Sequence, residues 1–160
     1  MKSRASALGH AIHPMLIVFP FGLLPTAVIF DVIFLVTDGA GFATAAAYLI
    51  AAGVLGGLIA AVPGIVDWAA IPRSTRARRL GALHGILNGV MITLFAISLL
   101  LRAGEVGWQP GAAALVFSFA GVALAPFSGW LGGELVERLG VGVDDGAHVD
   151  APSSLRQETP

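Results

Sequence analysis

The sequence predicts an all-α, polytopic membrane protein: four transmembrane helices in a bundle, with N- and C-termini cytoplasmic. Three observations predict it. Of 160 residues, 56% are hydrophobic and only 12% charged, against roughly 25% charged in a soluble domain. Four apolar stretches follow one another, each of about the 20 residues that cross a hydrocarbon core of roughly 30 Å. Cationic residues gather in alternate loops, which sets an orientation.

The first span covers 15–37, with Asp31 its single charge. Lys2 and Arg4 precede it as in a signal peptide, but the run is longer than a signal's apolar core of roughly 7–15 residues. It is therefore read as a retained span. Pro20 and Pro25 lie inside, and membrane helices tolerate proline where neighbours satisfy the freed carbonyls. Asp31 reads as snorkelling or bonding near the outer interface. The run stops at Thr37-Asp38-Gly39-Ala40-Gly41, a turn without Lys or Arg.

The second span covers 42–66 and is rich in Ala and Gly. Gly53, Gly56, Ala60, Pro63 and Asp67 share one face by helical spacing, a smooth packing strip that ends in a carboxylate. Ile71 to Arg79 is the one strongly basic loop. Span three covers 80–101. Gly81, Gly85 and Gly89 recur every four residues as a small-xxx-small series, with His84 and Asn88 expected on the same, packed side. Arg102, Glu105 and Trp108 mark its exit. Span four covers 111–131 and closes with Gly132-Gly133-Glu134. The transmembrane domain is thus 1–143. Residues 144–160 read as a disordered acidic tail holding His148.

Lys2, Arg4, Arg73, Arg76, Arg78, Arg79, Arg138 and Arg156 belong to the N-terminus, the middle loop and the C-terminal region, and only Arg102 to the other loops. By the positive-inside rule both termini and the middle loop face the cytoplasm. No basic tract of nucleic-acid type occurs. Cysteine is absent, which excludes disulfides, thiolate zinc sites, cysteine-held iron–sulfur clusters and covalent c-type haem within this chain.

That topology carries polar side chains to one depth. His10 and His13 begin span one, Asp67 ends span two, His84 and Asn88 begin span three, and Glu134 ends span four. Ionisable groups at the hydrocarbon edge pair with each other or bind something. His10, His13, Asp67, His84 and Glu134 are together a candidate metal set for Zn²⁺, Fe²⁺ or Mn²⁺, with Asn88 behind them. Alternatively two imidazoles, one from span one and one from span three, clamp a b-type haem, with His10, His13 and His84 as the candidates. The partners expected are the lipid bilayer and a membrane redox partner or a second copy of the chain. The competing expectation is a non-catalytic scaffold packing through glycine-rich helix faces. No catalytic signature such as His-Glu-x-x-His is present.

Four blocks carry a resemblance: Gly9 to Leu24, Val66-Asp67-Trp68 with Ile71-Pro72, Gly81 to Asn88, and Gly129 to Val136. In that order they resemble the bacterial membrane family labelled domain of unknown function 2231, over about residues 9–143. The resemblance implies a four-span inner-membrane protein. Members of that family usually have no assigned activity, but some stand beside or fused to redox modules such as Rieske-type or cytochrome-like domains, an analogy that favours a haem or metal role. The chain departs from the family's pattern at Glu137 and Leu139.

Overall fold

The computed structural model describes residues 1–155. A short antiparallel hairpin, β1 (Ser6–Ala7) and β2 (His10–Ala11), runs into α1 (Ile12–Leu16) and α2 (Val18–Thr37). Then come α3 (Ala40–Ala70), α4 (Arg76–Arg102) and α5 (Ala112–Gly133). A wider helical turn, Glu134–Arg138, finishes the last span. Four segments are long and apolar enough to cross a membrane: Ile12–Thr37, Ala40–Ala70, Arg76–Arg102 and Ala112–Arg138. All four sequence-predicted spans are present, each somewhat longer than expected.

The break at Ile17 between α1 and α2 falls where Pro20 has no N–H for the Leu16 carbonyl. At 1.5 Å per residue the 31 residues of α3 extend about 46 Å. That is long enough to carry its last turns, with Asp67 and Trp68, to the interface. Thr75 caps α4 by accepting from the Arg78 N–H at 3.1 Å. The Arg78 side chain turns back instead. It stacks 3.8 Å over Trp68 and donates to the carbonyls of Trp68, Ala69 and Ile71 at the carboxyl end of α3, where the Trp68 carbonyl also accepts from the Ile71 N–H.

The helices alternate in direction. Contacts are most extensive between α2 and α3 and between α4 and α5, with α3 against α4 joining the pairs and α2 touching α5 only lightly. The end that carries the amino terminus and the α3–α4 loop is called the near end below.

Only 17–22% of each apolar stretch is buried. Phe21, Ile29, Leu55, Val62, Ile86 and Val116 all face outward. Such an outside suits lipid, in which apolar contact supplies no net drive between helices. The interior is a small close-packed zone of Leu24, Ala27, Val28, Ala46, Ile50 and Phe95. Close approach is bought by two glycines. A Cβ at Gly53 would stand 2.6 Å from Leu24, and one at Gly121 would stand 2.8 Å from Phe95.

The expected glycine series of span three is corrected here. Gly81 lies against Trp68, but Gly85 and Gly89 are exposed and a Cβ at either would meet nothing within 4 Å. His84 and Asn88 are the inward pair. One residue turns a helix by 100°, so the 84/88 and 85/89 stripes cannot both face the core. An imidazole or amide left unpaired in lipid costs more than lost close packing, and the polar stripe takes the inside.

Beyond Arg138 the chain forms turns to residue 155. Lys2 pairs with Asp144 at 2.8 Å. That hydrogen bond, and a second from the Gly146 N–H, hold the Asp144 carboxyl below the usual carboxylate range. Within the sequence-predicted tail 144–160, residues 156–160, with the Arg156 of the charge argument, lie outside the described residues.

Candidate functional site

His13 stands in the first turn of α1 and reaches across to α3. Its Nδ1 donates to the Ala60 carbonyl at 2.8 Å. Two features of α3 make that carbonyl reachable. Pro63 loosens the ladder beside it, because it has no N–H for the neighbouring Ile59 carbonyl and its ring crowds that carbonyl. Gly64 leaves room, since a Cβ there would stand 2.9 Å from His13 Nδ1.

His84 is seated in the same manner on the other pair of helices. Its Nδ1 donates to the Ser128 carbonyl of α5 at 3.0 Å. A Cβ at Gly132 would come within 3.3 Å of the ring. Asn88, one turn further along α4, fixes the arrangement. Its amide donates to Ser128 Oγ at 2.7 Å, to the His84 carbonyl at 2.8 Å and to His84 Nε2 at 3.2 Å.

The two imidazoles face one another edge to face, with ring centres 6.4 Å apart and planes at 87°. Both rings are half-buried. Each Nδ1 is committed to a main-chain carbonyl, which fixes the tautomer and leaves Nε2 as the lone-pair nitrogen. The pair therefore offers two oriented imidazole donors from two different helices, inside the bundle and toward its near end.

The other sequence-predicted ligands do not join them. His10 is exposed in the hairpin, with its Nδ1 3.1 Å from the Leu8 carbonyl. Asp67 is occupied by the amino-terminal segment, accepting from Ser3 Oγ at 2.9 and 2.7 Å, Arg4 N–H at 2.7 Å and Ala5 N–H at 3.0 Å. Glu134 pairs with Arg76 at 2.5 Å. Among the described residues no three His, Cys, Asp or Glu side chains converge as a metal set. The five-residue cluster expected from topology thus reduces to His13 and His84. Equal depth is not contact: each carboxylate finds a nearer donor on its own side of the bundle. His148, exposed in the C-terminal region, keeps apart from all of them.

Sequence reasoning missed the most buried polar group. Asp31 does not snorkel. It lies fully buried in α2 and forms a two-pronged ion pair with Arg102 of α4, both contacts at 2.6 Å. Ser118 of α5 donates to Asp31 at 3.2 Å, and Ser98 accepts from Arg102 while its own hydroxyl donates to the Ala114 carbonyl at 2.7 Å. The available signal was two opposite charges at the same end of spans one and three. Each of those spans is otherwise free of charge between its ends.

Residues 9–145 match the family described as Predicted membrane protein (DUF2231). The match takes in all four spans and both histidines of the pair. Comparisons with curated proteins and with solved structures give no match.

Proposed function

The chain belongs to this DUF2231 family of predicted membrane proteins, and on that footing we propose that it holds a b-type haem between α1 and α4 for membrane electron transfer. His13 and His84 would hold it in this reading, and the membrane is a bacterial inner membrane with both termini cytoplasmic. The observation that carries the reading is the pairing of the two imidazoles, 6.4 Å apart, each anchored through Nδ1 to a main-chain carbonyl. Two histidines from facing helices are the set that a haem needs, because the macrocycle supplies the other iron ligands. A bare Zn²⁺, Fe²⁺ or Mn²⁺ would want at least one further protein donor.

When bound, the haem supplies one-electron chemistry. The chain's own residues hold and tune. The Ala60 and Ser128 carbonyls keep both Nδ1 atoms protonated, which raises the basicity of the ligating nitrogens. Asn88 has three acceptors for two hydrogens, so it can release His84 Nε2 and keep Ser128 Oγ and the His84 carbonyl.

The test is protein purified in mild detergent from cells supplied with iron and zinc, with absorbance and metal per chain measured together. A Soret band is expected for the native chain and for His148→Ala. Its loss is expected in His13→Ala and in His84→Ala. A native chain without haem, or single variants at full occupancy, would overturn the reading.

One observation favours a second reading, a membrane subunit that packs through a helix face. Gly85 and Gly89 form an exposed strip on α4 with open space before it, a surface against which another helix can approach closely. Single-molecule counting in bilayers tests it. Gly85→Leu should turn oligomers into monomers, and a native chain that is monomeric throughout would remove this reading.

A further inference from the structure

We infer that Asp67 is a latch: it holds the amino-terminal segment across the near end of the bundle as a strap that limits access to His13 from the aqueous side. The inference does not depend on what the two histidines hold. Asp67 sits in the last turns of α3, three residues past Gly64, the glycine against which His13 is seated. The hydrogen bonds to its carboxylate come from the Ser3 hydroxyl and from two successive main-chain N–H groups, those of Arg4 and Ala5. Successive N–H groups turned toward one anion form a nest, and hydrogen bonds to a charged acceptor are stronger than neutral ones.

From the latch the strap runs straight to the site. The Ala5 carbonyl accepts from the Ile12 N–H at 2.9 Å, β1 and β2 close the hairpin between them, and the residue after Ile12 is His13. One end of the strap is therefore pinned one helical turn beyond the seat of His13, and the other end is continuous with His13 itself.

Little else fastens the strap to the helices around His13. Of residues 1–11 only Ser3 is buried, and Leu8 at the hairpin tip is 78% exposed. A hairpin with two residues per strand is not stable alone. The other contacts tie the segment to the region after α5: Lys2 with Asp144, the Met1 amino group with Asp145 and with the Gly140 carbonyl at 2.8 Å, the Gly142 N–H on the Met1 carbonyl, and Gly9 close against Ser154. With so little apolar surface buried, the carboxylate decides whether the strap lies down beside His13 or lifts from it.

The experiment uses the full chain in mild detergent and reads two things. Amide hydrogen exchange at Arg4 and Ala5 reports the latch, and diethyl pyrocarbonate modification of His13, mapped by peptide mass spectrometry, reports access. Asp67→Asn keeps the shape and removes the charge; Ser3→Ala keeps the charge and removes one donor. In Asp67→Asn we expect exchange at Arg4 and Ala5 to rise roughly tenfold or more, and His13 modification to quicken. His148, exposed already and outside the strap, should react at an unchanged rate. Ser3→Ala should move both readouts the same way by less, and it carries the test if Asp67→Asn fails to fold. Amides at Arg4 and Ala5 that stay protected in both variants would overturn the latch. Freed amides with an unchanged His13 rate would overturn the strap's control of access.

Discussion

Asp31 and Arg102, 71 residues apart in the chain, meet in a two-pronged ion pair with no solvent exposure on either side chain. With Ser98 and Ser118 the pair joins α2, α4 and α5 at the end of the bundle opposite the histidines. Every buried polar side-chain atom among the described residues has a partner. Removing one partner therefore leaves a buried charge uncompensated. Asp31→Ala or Arg102→Ala should each cost about 3–5 kcal/mol, whereas Asp31→Leu with Arg102→Met together should cost less than either single change. Unfolding titrations in mixed micelles measure it. A double variant that loses as much as the two singles summed would show that the two side chains do not couple, and would overturn the argument.

The glycines divide into a packing class and an open class. Gly121→Leu forces a side chain into Phe95 and should lower stability by about 1–3 kcal/mol. Gly85→Leu adds an apolar group to an exposed position and should leave the monomer within about 0.5 kcal/mol of native. Melting temperatures in detergent report both. Similar losses in the two variants would show that α4 packs through Gly85 after all.

The seat of His13 can be disturbed without touching the imidazole. A methyl group at Gly64 would stand 2.9 Å from Nδ1, so the ring must move and its bond to the Ala60 carbonyl is lost. Under the haem reading, Gly64→Ala should weaken cofactor binding about 10- to 100-fold, as loss of an orienting contact does at other metal ligands. Gly22→Ala, with nothing within 4 Å, is the control. Haem per chain after dilution is the readout, and equal retention in both would detach Gly64 from the site.

The charge pattern predicts an orientation, because eight of the nine Lys and Arg residues belong to the termini and the α3–α4 loop of the four-span arrangement. Reporters fused after Arg79 and at the carboxyl terminus should read cytoplasmic, and one inserted between Gly39 and Gly41 periplasmic. A periplasmic carboxyl terminus would sink the orientation.

The four spans, their order and the polar residue types at their ends were legible in the sequence. Those are local properties: span length is set against bilayer thickness, and a histidine near the start of a span is near an interface whatever its neighbours do. The choice among the polar residues at one depth was not legible. His13 and His84 meet because α1 lies on α3 at Ala60 and α4 lies on α5 at Ser128. Asp67 is taken by Ser3 to Ala5 and Glu134 by Arg76. Each outcome depends on the rotation of a helix about its own axis. A spacing of four residues between glycines suits a packed face and a lipid-facing one equally well. In lipid that rotation is decided by which polar groups can find partners, since apolar faces are indifferent to one another there. Asp31 illustrates it: its place in span one was plain in the sequence, and Arg102 became its partner only when α2, α4 and α5 were assembled.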